Sequence, residues 1–372
     1  MITLFCIRPK AFNVGNDAIF LGLKHFLREA FGRVVNLVSL PATARYESHA
    51  KAGLTARTIY EINQYGHGVI VGGGNLYENG ELEVQPDALE RLTVPLMLFS
   101  LSCGRIYGRR RQLVARTDTM PARTILALNR AARFSLARDR ATKEHLDRVG
   151  AGGAVVGGCP TIFLDRMLPF LPPLSDADRG GVLVSVRNPE LMNIPLDAKA
   201  RVHQQIAEVL AFLKGEGYRN VRLLCHDHRD IPFAASLGDV DYVYADDIYV
   251  FLALLRSASL VVTYRLHAAL PCLAFGTPVI KVSYDERALS LLETVGFGRW
   301  NIDLVQSPDV VGEIIDRHRR LTELEELRRQ AQPIWDHLYA TMREAFCRFA
   351  EEAERQHAAD RNEFAPRLRK SA

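Results

Sequence analysis

The stretch Val261-Val262-Thr263-Tyr264-Arg265-Leu266-His267-Ala268-Ala269-Leu270 is an apolar run closed by Arg-Leu-His and followed at once by a second apolar run. The first run reads as a strand and the second as a helix, which is half of a βαβ unit. In parallel sheets, ligands collect where strands end and the free N–H groups of the next helix begin. Arg265 presents a planar fork to a phosphate or carboxylate, and His267 carries a proton exchangeable near neutral pH. The segment is therefore read as an anion site. The plainer alternative has Arg265 capping a neighbouring carbonyl and His267 satisfied at the helix start.

Outward from this segment the same alternation continues. Strands are expected near Val182–Val186, Val221–Cys225, Tyr242–Tyr244, Leu260–Thr263 and Val279–Val282. Helices are expected at Asp197–Leu213, Asp247–Arg256 and His267–Phe275. The first half repeats the pattern, with strands near Thr3–Ile7, Val34–Val38, Gly68–Val71, Pro95–Phe99, Arg133–Ala137 and Ala154–Val156. A helix spans Asp17–Phe31, where Ile19, Leu23, Phe26 and Leu27 share one face, and another spans Arg140–Val149. Three prolines and two terminal glycines in residues 168–181 read as a linker. The 372 residues thus divide into an N-terminal α/β domain (1–167), the linker, a C-terminal α/β domain (182–320) and a helical segment with a polar tail (321–372), broken at Pro333. Two such domains face a cleft.

Composition narrows the function. With 48% hydrophobic and 24% charged residues the chain is an ordinary globular protein, and a net charge of +4 is too small for a nucleic-acid partner. The apolar N-terminal stretch is short and closed by Arg8, so no leader or membrane span is expected and the location is read as cytoplasmic. Six scattered cysteines form no C-x-x-C pair and read as buried, reduced thiols.

Other constellations fall at strand ends. Arg138, in Ser135-Leu136-Ala137-Arg138-Asp139, repeats the strand-cation-helix order in the first domain, with Asp139 as helix cap; a salt bridge is the alternative role for Arg138. In Asn13-Val14-Gly15-Asn16-Asp17, capping accounts for one polar residue, leaving Asn13 or Asp17 to meet sugar hydroxyls. Val71-Gly72-Gly73-Gly74-Asn75 runs a strand into glycines that let a ligand reach backbone, but Tyr77 breaks any G-x-G-x-x-G fingerprint. His226, Asp227, His228 and Asp230 resemble metal ligands without diagnostic spacing, and a polar loop at the cleft rim is the preferred reading. Arg105, Arg109, Arg110, Arg111 and Arg116 read as a solvated loop, the functional alternative being a peripheral membrane contact with a lipid-linked glycan.

Four segments in order, NVGNDAI, VIVGGGNLYENG, SLARDRATKEHLDRVG and TYRLHAALPCLAFGTPVIKVSYDERALSLLETVG, resemble the polysaccharide pyruvyl transferase family from about Asn13 to Gly296. The resemblance implies a glycosyltransferase-B-like pair of Rossmann-like domains. It also implies phosphoenolpyruvate as donor and a ketal-linked pyruvate on a sugar of an exopolysaccharide or cell-wall glycan. It points to Arg138, Arg265 and His267 as catalytic, donor-binding residues. Asn13, Asp17, Gly73, Gly74, Asn75, Leu266 and Tyr284 complete the substrate-binding candidates. Cys159-Pro160, where the family more often has Asp-Pro, and Asn16, inserted between Gly15 and Asp17, depart from its pattern. The expected chemistry needs no metal and no cofactor beyond the donor. Two other classes share these features: a nucleotide-sugar glycosyltransferase, and a non-catalytic glycan-binding relative.

Overall fold

The computed structural model describes residues 1–10, 13–45 and 51–369, with side chains to Arg361. Runs of apolar residues without polar alternation belong to parallel strands covered on both faces, and the first half has three, β1 (Thr3–Arg8), β3 (Gly68–Gly74) and β4 (Leu96–Leu101), with the half-exposed edge strand β2 (Asn36–Pro41) beside β1. A short hairpin, β5 (Ile106–Tyr107) with β6 (Leu113–Val114), precedes β7 (Phe134–Ala137) and β8 (Val155–Val156). The first sheet has six parallel strands in the order β2-β1-β3-β4-β7-β8.

The second sheet repeats the plan with β9 (Val182–Ser185), β10 (Val221–Cys225), β11 (Tyr242–Tyr244), β12 (Leu260–Thr263), β13 (Val279–Ser283) and β14 (Ile302–Asp303), ordered β11-β10-β9-β12-β13-β14. Every pairing in it is parallel. β14 and the hairpin lie outside the expected strands because two-residue strands are too short to show periodicity in the sequence. The second expected strand lies two residues late, at Asn36–Pro41.

Helices cover both sheets. The Leu266–Phe275 helix is buried from Ala268 onward, and Gly276 ends it with a left-handed φ of 75°. It packs with Val14–Phe31 and the Pro160–Phe170 segment into one apolar core that runs from Phe26 and Phe99 on one side to Leu254, Leu270 and Phe297 on the other. The two lobes are therefore joined at their base by buried hydrocarbon.

The C-terminal helix, Glu323–Arg369, is continuous through Pro333, against the expected break. Packing outweighs the proline here. Ala331 and Trp335 are buried on either side of it, and Trp335 donates its indole N–H to the Val295 carbonyl at 2.9 Å. Further along, Phe346 stacks on Phe26 at 5.5 Å and meets Phe99 edge-on at 4.9 Å. One helix is thus anchored in both lobes.

Candidate active site

Arg138 directly follows β7 and Arg265 stands two residues beyond β12, each just ahead of a helix. The Arg265 N–H donates to Thr263 Oγ1 (2.9 Å), and the Arg138 N–H donates to the Leu101 carbonyl (2.9 Å). Backbone bonds thus fix both guanidiniums at strand carboxyl ends, one in each lobe. They are 7% and 4% exposed and line the same cavity, about 250 Å³ in volume, with His267, Asn13, Gly74, Asn75, Leu266 and Tyr284.

Asp17 and Gly73 lie outside this lining. Asp17 turns away to accept from Arg8 Nη1 at 2.8 Å, because that guanidinium closes the end of β1. Gly73 (φ +71°) faces the core: a Cβ there would stand 2.2 Å from Ile19 Cγ2, so the glycine permits helix packing. Asn13 is the cap of the first helix, accepting from the Gly15 N–H at 3.0 Å, and it also bridges to the second lobe through a β-bridge with Asp227. Asp139 caps its helix through the Thr142 N–H (2.9 Å) and also accepts from Ser290 Oγ (3.1 Å) of the opposite lobe.

Three buried nitrogens of residues lining the site have no hydrogen-bond partner among the described residues: Arg138 Nε, 3.8 Å from Asp139, Arg187 Nε and His267 Nε2. Buried polar atoms are nearly always paired, so unpaired ones on residues that line a cavity mark a place where a ligand could complete the bonding. The charges here also set the protonation of His267. Burial, then the positive charges of Arg138, Arg265 and Arg287, push its pKa down to about 3, so the imidazole is neutral in the free site.

Several lining residues did not stand out in the sequence: Arg187, Arg229 and Arg287, with Asn79, Asn193 and Asp285; Arg116 of the basic stretch and Asn16 of the first loop line the cavity too. Arg287 spans the cleft, pairing with Asp285 of its own helix turn and, at 3.1 Å, with Glu78 of the first lobe. Glu78 has no exposed side-chain surface. Burial raises its pKa, opposed by Arg287 and Arg116, and it accepts from the Gly104 N–H at 2.7 Å. The His226–Asp230 cluster is an ion-pair network whose carboxylates, Asp227 and Asp230, are buried, while His226 and Arg229 line the cavity. Arg229 holds Asp227, whose carboxyl falls to about 2 although burial opposes this, and His226 Nε2 meets Ser185 Oγ at 2.8 Å. Among the described residues no group of His, Cys, Asp and Glu forms a metal cluster.

The arginine-rich stretch contains the β5–β6 hairpin; Arg105, Arg109 and Arg110 are exposed, as a solvated loop requires, and three of its side chains also strap the lobes together. Arg105 pairs with Glu286 and Arg111 with Asp197, while Tyr107 donates its hydroxyl to Asp303.

The model of the family described as polysaccharide pyruvyl transferase matches residues 13–286, which spans all of these strand ends. The chain belongs to that family and is a transferase. Comparison with curated proteins gives no match. Among solved structures, the chain resembles S. aureus MnaA in its co-structure with UDP (TM-score 0.54, 14% identity, 95% of this chain and 94% of that one). It likewise resembles a putative UDP-N-acetylglucosamine 2-epimerase from Listeria monocytogenes (TM-score 0.54, 13% identity, 98% and 97%). A third is the UDP-GlcNAc 2-epimerase of Methanocaldococcus jannaschii (TM-score 0.52, 12% identity, 86% and 92%). These likenesses establish the fold, which is of the glycosyltransferase-B type: two Rossmann-like α/β lobes about a cleft. No helix among the described residues is long and apolar enough to cross a membrane.

Proposed function

We propose that this family member transfers the pyruvyl group of phosphoenolpyruvate to two hydroxyls of a sugar in a polysaccharide or cell-wall glycan, forming a ketal. The reading rests on one observation: Arg138 and Arg265, from opposite lobes, share a small cavity with His267, and Arg138 Nε and His267 Nε2 are unpaired there. Phosphoenolpyruvate carries a phosphate and a carboxylate, one anion for each guanidinium.

Chemistry then follows from charge. Protonation of the donor's methylene carbon places positive character on the neighbouring carbon, which the first sugar hydroxyl attacks. The second hydroxyl displaces phosphate and closes the ketal. Of the two hydroxyl protons, one restores the acid and the other leaves with phosphate. His267 is the proposed acid. In the free site it is neutral, but the bound donor sets negative charge against the guanidiniums that hold it so, and the imidazole then gains affinity for a proton. The asparagines of the first lobe, Asn13, Asn16, Asn75 and Asn79, suit the hydroxyls of a carbohydrate acceptor.

Incubating the protein with phosphoenolpyruvate and a glycan extract tests the proposal. Expected are release of inorganic phosphate and an acid-labile carboxyethylidene group on the glycan. Release of a nucleoside diphosphate from a nucleotide sugar, with no use of phosphoenolpyruvate, would overturn it in favour of a glycosyltransferase.

A further inference from the structure

Strands β9 and β12 are parallel neighbours whose register ends at Ser185 opposite Thr263. Two residues beyond that pair stand Arg187 and Arg265, at equivalent places on adjacent strands, and both line the cavity. Two guanidiniums side by side in a partly buried place repel, and they share a single counter-ion. Arg187 Nη1 is 3.4 Å from Asp230 Oδ1, and Arg265 Nη1 is 3.5 Å from Asp230 Oδ2. Asp227 lies 3.5 Å from Arg187, but it is already held by Arg229 at 2.9 and 3.1 Å. Three guanidiniums thus face two carboxylates.

The distances carry the rest. Charge-assisted N–H···O bonds in full engagement run at about 2.7–2.9 Å, so the contacts to Asp230 orient Arg187 and Arg265 without using up their donors. Arg187 Nε is buried and has no hydrogen-bond partner within the protein. Burial, followed by the charge of Arg187, lowers the proton affinity of Arg265.

We infer that Arg187 and Arg265 form a paired guanidinium clamp for the phosphoryl group of the donor, with Asp230 as the residue that positions both forks. This deepens the proposed use of phosphoenolpyruvate and rests on it. The phosphoryl group is the more highly charged end of that molecule, and a pair of forks with a net positive charge suits it. The carboxylate then falls to Arg138 on the opposite lobe.

Inorganic phosphate titrated by calorimetry into the full-length protein tests the clamp. Arg187→Gln should weaken phosphate about 10- to 100-fold, the scale of one or two charge-assisted bonds. Pyruvate, which carries the carboxylate alone, should bind the variant as it binds the wild type. The thermal midpoint of the free variant should be unchanged or higher, because one of two repelling cations is gone while Asp227 keeps Arg229 and Asp230 keeps Arg265. A residue with a merely structural role would instead lower that midpoint and leave phosphate binding intact, which would overturn the inference. So would loss of pyruvate binding with phosphate retained. Should Arg187→Gln fail to fold, Arg187→Lys keeps the charge but not the fork and should still lose phosphate affinity; unchanged affinity in that variant counts against the clamp. If the wild type binds phosphate through Arg187 yet never consumes phosphoenolpyruvate, the donor reading falls and the anion clamp stands.

Discussion

The backbone of Gly15 presses on the ring of His267 across the cleft: a Cβ on Gly15 would stand 2.5 Å from His267 Nδ1 and 3.0 Å from its Cβ. The contact is reinforced by the neighbouring backbone bond from the Val14 N–H to the His226 carbonyl (3.2 Å). The first lobe therefore sets the position of the imidazole that the second lobe supplies.

Gly15→Ala should separate activity from stability. Alanine favours the helix by about 1 kcal/mol over glycine, so the thermal midpoint should hold or change little, while displacement of the ring should lower kcat at least about tenfold, a misplacement effect. Steady-state kinetics beside thermal denaturation check this. An alanine variant with full turnover would mean that the ring's position does not matter.

His267→Gln should reduce turnover by about 10²–10⁴, the usual worth of general acid–base help. The pKa near 3 in the free site makes a second expectation. If the donor's charge raises that value, binding takes up a proton, and affinity for phosphoenolpyruvate strengthens as pH falls toward the raised value. Calorimetry in buffers of different ionisation enthalpy measures the uptake, which should be missing in the glutamine variant.

His226 offers a test on stability. Burial, then the positive charges of Arg265 and Arg187, holds its folded pKa well below the ordinary 6.5. The unfolded chain therefore binds the extra proton below pH 6.5, and stability falls as pH drops through that region, by up to about 1.4 kcal/mol per pH unit from this residue. Urea unfolding across the range should show the slope, and His226→Gln should flatten it by that amount.

Arg287→Met removes the guanidinium between Asp285 and the fully buried Glu78. Leaving buried carboxylates without their cation typically costs about 3–5 kcal/mol, which the urea midpoint would report. Glu78→Gln in the same background should recover part of the loss.

Much of this architecture is legible from local pattern. The apolar runs at Leu260–Thr263 and Phe134–Ala137 announce parallel strands, and the cations just past them lie in one cavity because strand carboxyl ends meet at the cleft. The same signal marks Arg187, two residues beyond β9, yet a Pro189 turn rather than a long helix follows it, so the strand-cation-helix order is absent. Arg287 was beyond reach for another reason. It sits in the first turn of the Glu286–Thr294 helix and reads as a surface charge, while its partner Glu78 is 209 residues away. Asp17 shows the converse error: a polar residue in the right loop whose side chain answers to Arg8. Pro333 misled because local propensity takes no account of Trp335 and the apolar surface that it covers.

The helix that sets Trp335 against Val295 and Phe297 and, further along, packs Phe346 on Phe26 and Phe99 acts as a splint across the joint between the lobes. Prising the halves apart along its length would uncover several aromatic rings at once, each costing a few kilocalories per mole of lost burial. Wide gaping of the two lobes is thereby discouraged.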